Sequence, residues 1–306
     1  MRESTSREFL YHRRNRTLII FKPIEKLSYA YQNPAAISIA RHTANTWQKD
    51  RGFSEILDNT VQGKVVEEMF EDYIFSQGRG LQYTAYDSFR EDGYLKHAPI
   101  DGLLYETANP HVSEGIEKIL QDVSLNPYGK ITEETFEWLR AHRVYTVEVK
   151  SSRIPDRDYP DLEQLPFNSW AAQETIIDNL RKRDFFVYPK YTRDAGRSIH
   201  SFEDYVSYVI AQHPEVSVQP ISPVEFILNE ERKGKCDLYT RIFIDRTHTE
   251  NLIAYMLGYT LRDCFFMNPR IINMPRPGKS EDDIYYVYPI SESNQIDELF
   301  TDERLW

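Results

Sequence analysis

Three acidic residues and one lysine stand where they could hydrolyse a phosphodiester: Asp101, Glu148 and Lys150, assisted by Glu67. That reaction needs a hard cation to polarise the phosphoryl group and activate water, oxygen ligands to hold it, and a positive group near the developing charge. Carboxylates plus one lysine meet all three needs. In Val144-Tyr145-Thr146-Val147-Glu148-Val149-Lys150 the alternation is strict, so Thr146, Glu148 and Lys150 share one face of a strand and Tyr145, Val147 and Val149 the other. Lys150 thereby reaches the pocket of Glu148, where it can orient or deprotonate the attacking water or neutralise charge. The carbonyl of Val149, between them, is a candidate additional metal ligand. Asp101 converges on the same ion if its strand neighbours that of Glu148. An acid-x-Lys triplet alone is common on solvent-facing strands, where the ion pair is worth little; its weight here comes from the order of the surrounding elements.

Those elements are readable from periodicity. Val65, Val66, Met69, Phe70, Tyr73 and Ile74 recur at helical spacing after Gly63, and Gly78 supplies a stop. Glu67 borders the apolar face of this helix and can reach towards the pocket, whereas Glu68 points to solvent and ranks second. Ala98 to Tyr105 reads as a strand entered through Pro99. Thr132 is a good N-cap for a helix ending near Arg143, with Glu133 and Glu134 in its first turn. The strand at 144–150 follows, then a proline-rich loop from Ile154 to Pro166, a helix capped by Asn168 or Ser169 and running to about Lys182, and an aromatic strand from Phe185 to Tyr191. A helix from Phe202 to Gln212 and strands at 238–244, 252–261 and 284–288 extend the pattern. Helix and strand alternate, so the expected class is α/β with a mixed sheet. Residues 1–60, with weak helical periodicity from Ala35 to Trp47, are expected to be an appendage on a domain spanning 61–306. The acidic end, Asp297 to Trp306, is expected to be a mobile tail or a docking peptide.

With those pieces in place the chain resembles the PD-(D/E)XK nuclease superfamily, the restriction-endonuclease-like group. The matching pieces are Gly63-x-x-x-Glu67 on a helix, Pro99-Ile100-Asp101 opening a strand, and Glu148-Val149-Lys150-Ser151 closing one, over roughly residues 63–192. The resemblance implies that Asp101 and Glu148 bind magnesium, with manganese able to substitute, that Lys150 is the catalytic lysine, and that Glu67 is the accessory acid. It makes Gln173, on the following helix, a candidate contact to the site or the nucleic acid, with a structural glutamine as the alternative. It also implies an endonuclease acting on DNA in restriction, anti-phage defence or mobile-element processing, alone, as a homodimer or as the nuclease subunit of a complex. Proline stands two residues before the aspartate rather than one. The 46 residues between Asp101 and Glu148 require an inserted helical segment, placed at 106–143. The acidic surface and that insertion motivate an alternative: a subunit that keeps the fold without catalysis and holds a protein or nucleic-acid partner.

Bulk composition narrows the field. The 306 residues are 41% hydrophobic and 28% charged, ordinary for a folded globular chain. A net charge of −11 opposes indiscriminate nucleic-acid binding. Binding has to be local; the candidate patches are Arg13, Arg14 and Arg16 and Arg181, Lys182 and Arg183, each of which alone reads equally as a solvated face, and divalent cations could offset part of the acidic charge at the site. No stretch approaches the roughly 20 apolar residues of a membrane span, and residues 1–16 are polar and arginine-rich rather than a signal core. Cys236 and Cys264 are too few for a disulfide framework or a cysteine-rich zinc site, which fits a cytoplasmic setting.

Other chemistries find no support. Gly129-Lys130-Ile131-Thr132 lacks the glycine five positions earlier and the Ser or Thr directly after the lysine that a phosphate-binding loop requires. The eight histidines form no HExxH or HxH pair, no GxSxG elbow occurs, and His97 near Asp101 is a candidate substrate contact at most. The 21 tyrosines suit stacking on bases, but core packing explains them equally well.

Overall fold

One strand buries Val144 in one core and Tyr145, Val147 and Val149 in another. Only a strand covered on both faces can do this. The computed structural model describes residues 9–12, 17–23, 34–46, 52–154, 170–189, 199–246, 251–275 and 282–306, and its centre is this strand, β5 (Val144–Arg153). On one side lie β4 (Gly102–Glu106) and the edge strand β3 (Leu81–Ala85), both antiparallel. On the other lie β7 (Leu238–Asp245), parallel to β5, then β8 (Asn251–Leu261), β2 (Thr17–Pro23) and β1 (Phe9–His12). The seven strands form a curled mixed sheet.

Helix α1 (Pro34–Thr46) packs on α2 (Phe53–Gln77), and α2 covers one face of the sheet with Val65, Val66, Met69 and Phe70. Burying each such side chain contributes roughly 1.5–3 kcal/mol, enough to carry the helix through Gly63. Gly78 ends it in the left-handed region at φ 58°, its N–H donating to the Phe75 carbonyl. The other face is covered by α3 (Val112–Leu125) and α4 (Glu133–Ala141), which link β4 to β5, and by α5 (Trp170–Arg183), α6 (Phe202–Gln212) and α7 (Pro223–Arg232), which cross from β5 to β7. A parallel pair requires such a crossover. A second sheet, β6 (Phe185–Pro189), β10 (Asp282–Pro289) and β9 (Arg270–Pro275), packs into the same core.

The α/β class agrees with the sequence, and the 106–143 segment is helical, with Thr132 capping α4. The expected boundary at residue 60 falls inside α2, and residues 17–23 enter the large sheet as β2, pairing with β8. The expectation of a mobile C-terminal tail is overturned. Ile296, Leu299 and Leu305 are buried against the α2-side core, and the Tyr145 hydroxyl donates to the Leu305 carbonyl. The Trp306 indole N–H donates to the Leu299 carbonyl at 2.7 Å and its ring meets Tyr145 edge-on. The acidic residues of this segment mask an apolar set that needs only one short 3-10 turn, Ile296–Phe300, to reach the core. The Asn168/Ser169 cap and the loop up to Pro166 lie outside the described residues. Among the described residues, no helix is long and apolar enough to cross a membrane.

Candidate active site

The candidate site forms where β4 begins. Pro99 has no N–H for a ladder, and bonding to β5 starts at Asp101, whose N–H donates to the Val147 carbonyl at 3.0 Å. Gly102 opposite Val147 is the first strand pair. Beyond it β5 continues to Arg153 with β7 along one side and, among the described residues, no strand along the other. The N–H and C=O of one strand residue face the same neighbour, so Val149 turns both to this vacated edge. Its N–H is taken by the Asp101 carboxylate at 2.7 Å from Oδ2. The carbonyl lies on the same edge. Asp101 thus closes the sheet with a side chain where its own strand stops.

Glu148 and Lys150 point to one face, as their spacing dictates, and the Lys150 ammonium donates to Glu148 Oε1. Glu148 Oε2 accepts from the buried Cys236 thiol at 3.7 Å, just ahead of β7. From α2, Glu67 is buried at 8% exposure and is gripped by Lys64 one helical turn back, at 2.9 and 2.7 Å to its two oxygens. Lys64 also bridges to Asp87 at 2.8 Å, which in turn holds Arg90 at 3.0 Å. Glu68 is exposed, as its helical position requires.

Electrostatics sorts these groups. Burial, then the charges of Glu148 and Glu67, push the Asp101 carboxyl well above its ordinary range, and Lys150 and Lys64 offset only part of this. Burial raises Glu67 too, against the pull of Lys64, with Asp87 and Glu148 adding repulsion. Burial also disfavours the Glu148 carboxylate, but Lys150 outweighs it and holds Glu148 below the usual range. For Lys150 burial is likewise overcome, chiefly by Glu148 and then Asp101, so the ammonium is held above its ordinary value. Lys150 is therefore charged at neutral pH, a donor and a counter-charge rather than a proton acceptor. His97 stands within electrostatic reach of Glu148 and Lys150, and burial lowers its imidazole below the ordinary value.

No family model, curated protein or solved structure matches this chain.

The donor set fits a small hard cation by its chemistry. Magnesium keeps several waters and is commonly held by one or two carboxylates, which Asp101 and Glu148 supply, with the Val149 carbonyl beside them. Among the described residues, no three His, Cys, Asp or Glu side chains are grouped to hold a metal ion. Glu67 pairs with Lys64, which also bridges to Asp87, and Glu148 pairs with Lys150.

Gln173 is buried on α5 at 4% exposure. Arg181 is turned inward, donating to the Leu257 carbonyl of β8 at 2.9 Å and to Thr17 of β2 at 3.2 Å, whereas Lys182 and Arg183 are exposed. Arg13, Arg14 and Arg16 fall outside the described residues. Sequence reasoning missed Lys64, Tyr83 and Cys236. Lys64 was detectable as the residue one turn before Glu67; Tyr83 and Cys236 join the pocket through strand pairing that carries no local signature.

Proposed function

We propose that this chain is a divalent-cation-dependent nuclease of the PD-(D/E)XK kind, hydrolysing nucleic-acid phosphodiesters, DNA foremost. The observation that carries the reading is the direct link between the two acid-bearing segments, the Asp101 carboxylate bonded to the N–H of Val149, the central residue of Glu148-Val149-Lys150. Asp101, Glu148 and the Val149 carbonyl are the groups that hold magnesium or manganese. When bound, the cation supplies Lewis-acid polarisation of the phosphoryl group and a more acidic water. Lys150, held charged by Glu148 and Asp101, donates to the phosphoryl oxygens and stabilises the negative charge that develops on them. Glu67, fixed by Lys64, orients water from the α2 side. The β5 edge beyond Val147 leaves the scissile phosphate a backbone edge to approach. A cytoplasmic role in restriction, anti-phage defence or mobile-element processing, alone, as a homodimer or as the nuclease subunit of a complex, belongs to the same reading.

One observation favours a second reading. Asp101 serves as a strand-end acceptor and Glu148 is already paired with Lys150, an arrangement that would also suit a non-catalytic subunit that binds a protein or nucleic-acid partner. Cleavage of labelled DNA and RNA in magnesium or manganese separates the two. The nuclease reading expects cutting by the wild type and its loss in Asp101→Ala and Lys150→Ala with the far-ultraviolet dichroism unchanged. Equal cutting after either substitution refutes the assignment, and absence of any cutting with no manganese uptake supports the binding subunit.

A further inference from the structure

Tyr83 is the residue of the pocket whose chemistry is unaccounted for. It lies at the middle of β3, is 3% exposed, and packs its ring edge-on against Phe70 of α2, centroids 5.1 Å apart. The side chain leans along the sheet onto the start of β4. A Cβ built on Gly102 would sit 2.4 Å from Tyr83 Cζ and 2.5 Å from its hydroxyl oxygen, so residue 102 must be glycine for the phenol to lie where it does. The oxygen is buried and makes no hydrogen bond among the described residues. Its charged surroundings begin with Glu67 and Asp101.

A buried hydroxyl without a partner costs about 1–3 kcal/mol, and such groups are rare in folded proteins. The cost would vanish with a phenylalanine, which would pack equally well. A donor lying against Gly102, the neighbour of Asp101, with its ring on Phe70, one helical turn after Glu67, is placed to capture a water: the carboxylates accept its protons and the phenol donates to its oxygen. The void over Gly102 is where the phenol enters. We infer that Tyr83 is a positioning residue of the acidic pocket, its hydroxyl donating to a water that Glu67 and Asp101 hold and that completes the oxygen shell of the divalent cation. This rests on the nuclease reading and extends it to the β3 edge of the site.

Tyr83→Phe keeps the ring and its packing on Phe70 and removes only the oxygen. Two readouts without nucleic acid test it: thermal unfolding in chelator, and calorimetric titration with manganese alone. A phenol that serves only a bound water leaves the melting temperature of the variant equal to or above the wild type, while manganese affinity falls about 10-fold or more, as for other groups that orient a metal's ligands. A clear loss of stability in chelator overturns the inference, because the hydroxyl then has a structural partner. Unchanged manganese affinity overturns it as well. The two readings fail distinguishably: if Asp101→Asn abolishes manganese uptake and Tyr83→Phe leaves the affinity unchanged, the Tyr83 role alone is wrong, whereas a wild type that takes up no manganese overturns both.

Discussion

Asp101→Asn should make the metal-free protein more stable while removing its capacity for the cation. The amide is nearly isosteric and its oxygen can keep the hydrogen bond from the Val149 N–H, 2.7 Å long in the wild type. What disappears is a negative charge facing Glu148 and Glu67, the two groups that, after burial, do most to raise the Asp101 carboxyl. Like charges at close range repel by roughly 3–4 kcal/mol at an effective dielectric of about 20. Lys150 and Lys64 offset part of this, leaving about 1–3 kcal/mol in favour of the amide. For a chain of this size that is roughly 2–6 °C in melting temperature. The sign of the pH dependence follows from the raised carboxyl. Its contribution to stability is complete below the ordinary carboxylate value of 3.8 and is lost as pH rises through the raised value. The advantage of the variant should therefore be largest near pH 8 and shrink as pH falls towards the ordinary carboxylate range. Thermal unfolding in chelator at pH 5 and pH 8 measures it. An Asp101→Asn protein that melts below the wild type at pH 8 would show that the carboxylate is kept for the fold, and the reasoning from like-charge burial would be refuted.

Three further outcomes follow from the same structure. Gly102→Ala drives a methyl to 2.4 Å from the Tyr83 ring and should cost about 1–3 kcal/mol in denaturant unfolding; a neutral result would mean that Tyr83 has room to move. Deleting Leu305 and Trp306 removes a buried leucine, the Tyr145–Leu305 bond and the indole bond to Leu299, and should lower stability by about 3–5 kcal/mol, whereas a dispensable tail would leave the unfolding midpoint in place. Arg181→Ala should destabilise by roughly 1–3 kcal/mol, because the Leu257 carbonyl is deprived of its partner, without changing the salt dependence of DNA binding. Replacing exposed Lys182 and Arg183 should do the reverse, with the salt slope falling by about one for each phosphate no longer neutralised; the opposite pattern would return Arg181 to the nucleic-acid interface.

The elements that carry the acids were legible because each announces itself locally. Alternation fixed Glu148 and Lys150 on one face of β5, Gly78 and the apolar spacing fixed α2, and Thr132 fixed the start of α4. What stayed hidden depends on partners distant in the chain. β3 is an edge strand in which only Tyr83 is buried, so its alternation is too weak to read. α3 holds Gly115 in its first turn, which depresses helix propensity, yet that glycine is required because Leu139 lies 2.7 Å from where a Cβ would be. The C-terminal segment looked solvated because its acids outnumber the three apolar residues that anchor it. Arg181, Lys182 and Arg183 form one basic run in sequence, and helical geometry sends the first inward and the other two to solvent.

Anomalous diffraction from crystals soaked in manganese reads the central claim most directly. A single strong peak is expected between the carboxylates of Asp101 and Glu148, beside the Val149 carbonyl, and is absent from Asp101→Asn crystals treated identically. A fully occupied peak elsewhere, or none at this position with the Lys150–Glu148 pair undisturbed, would contradict it.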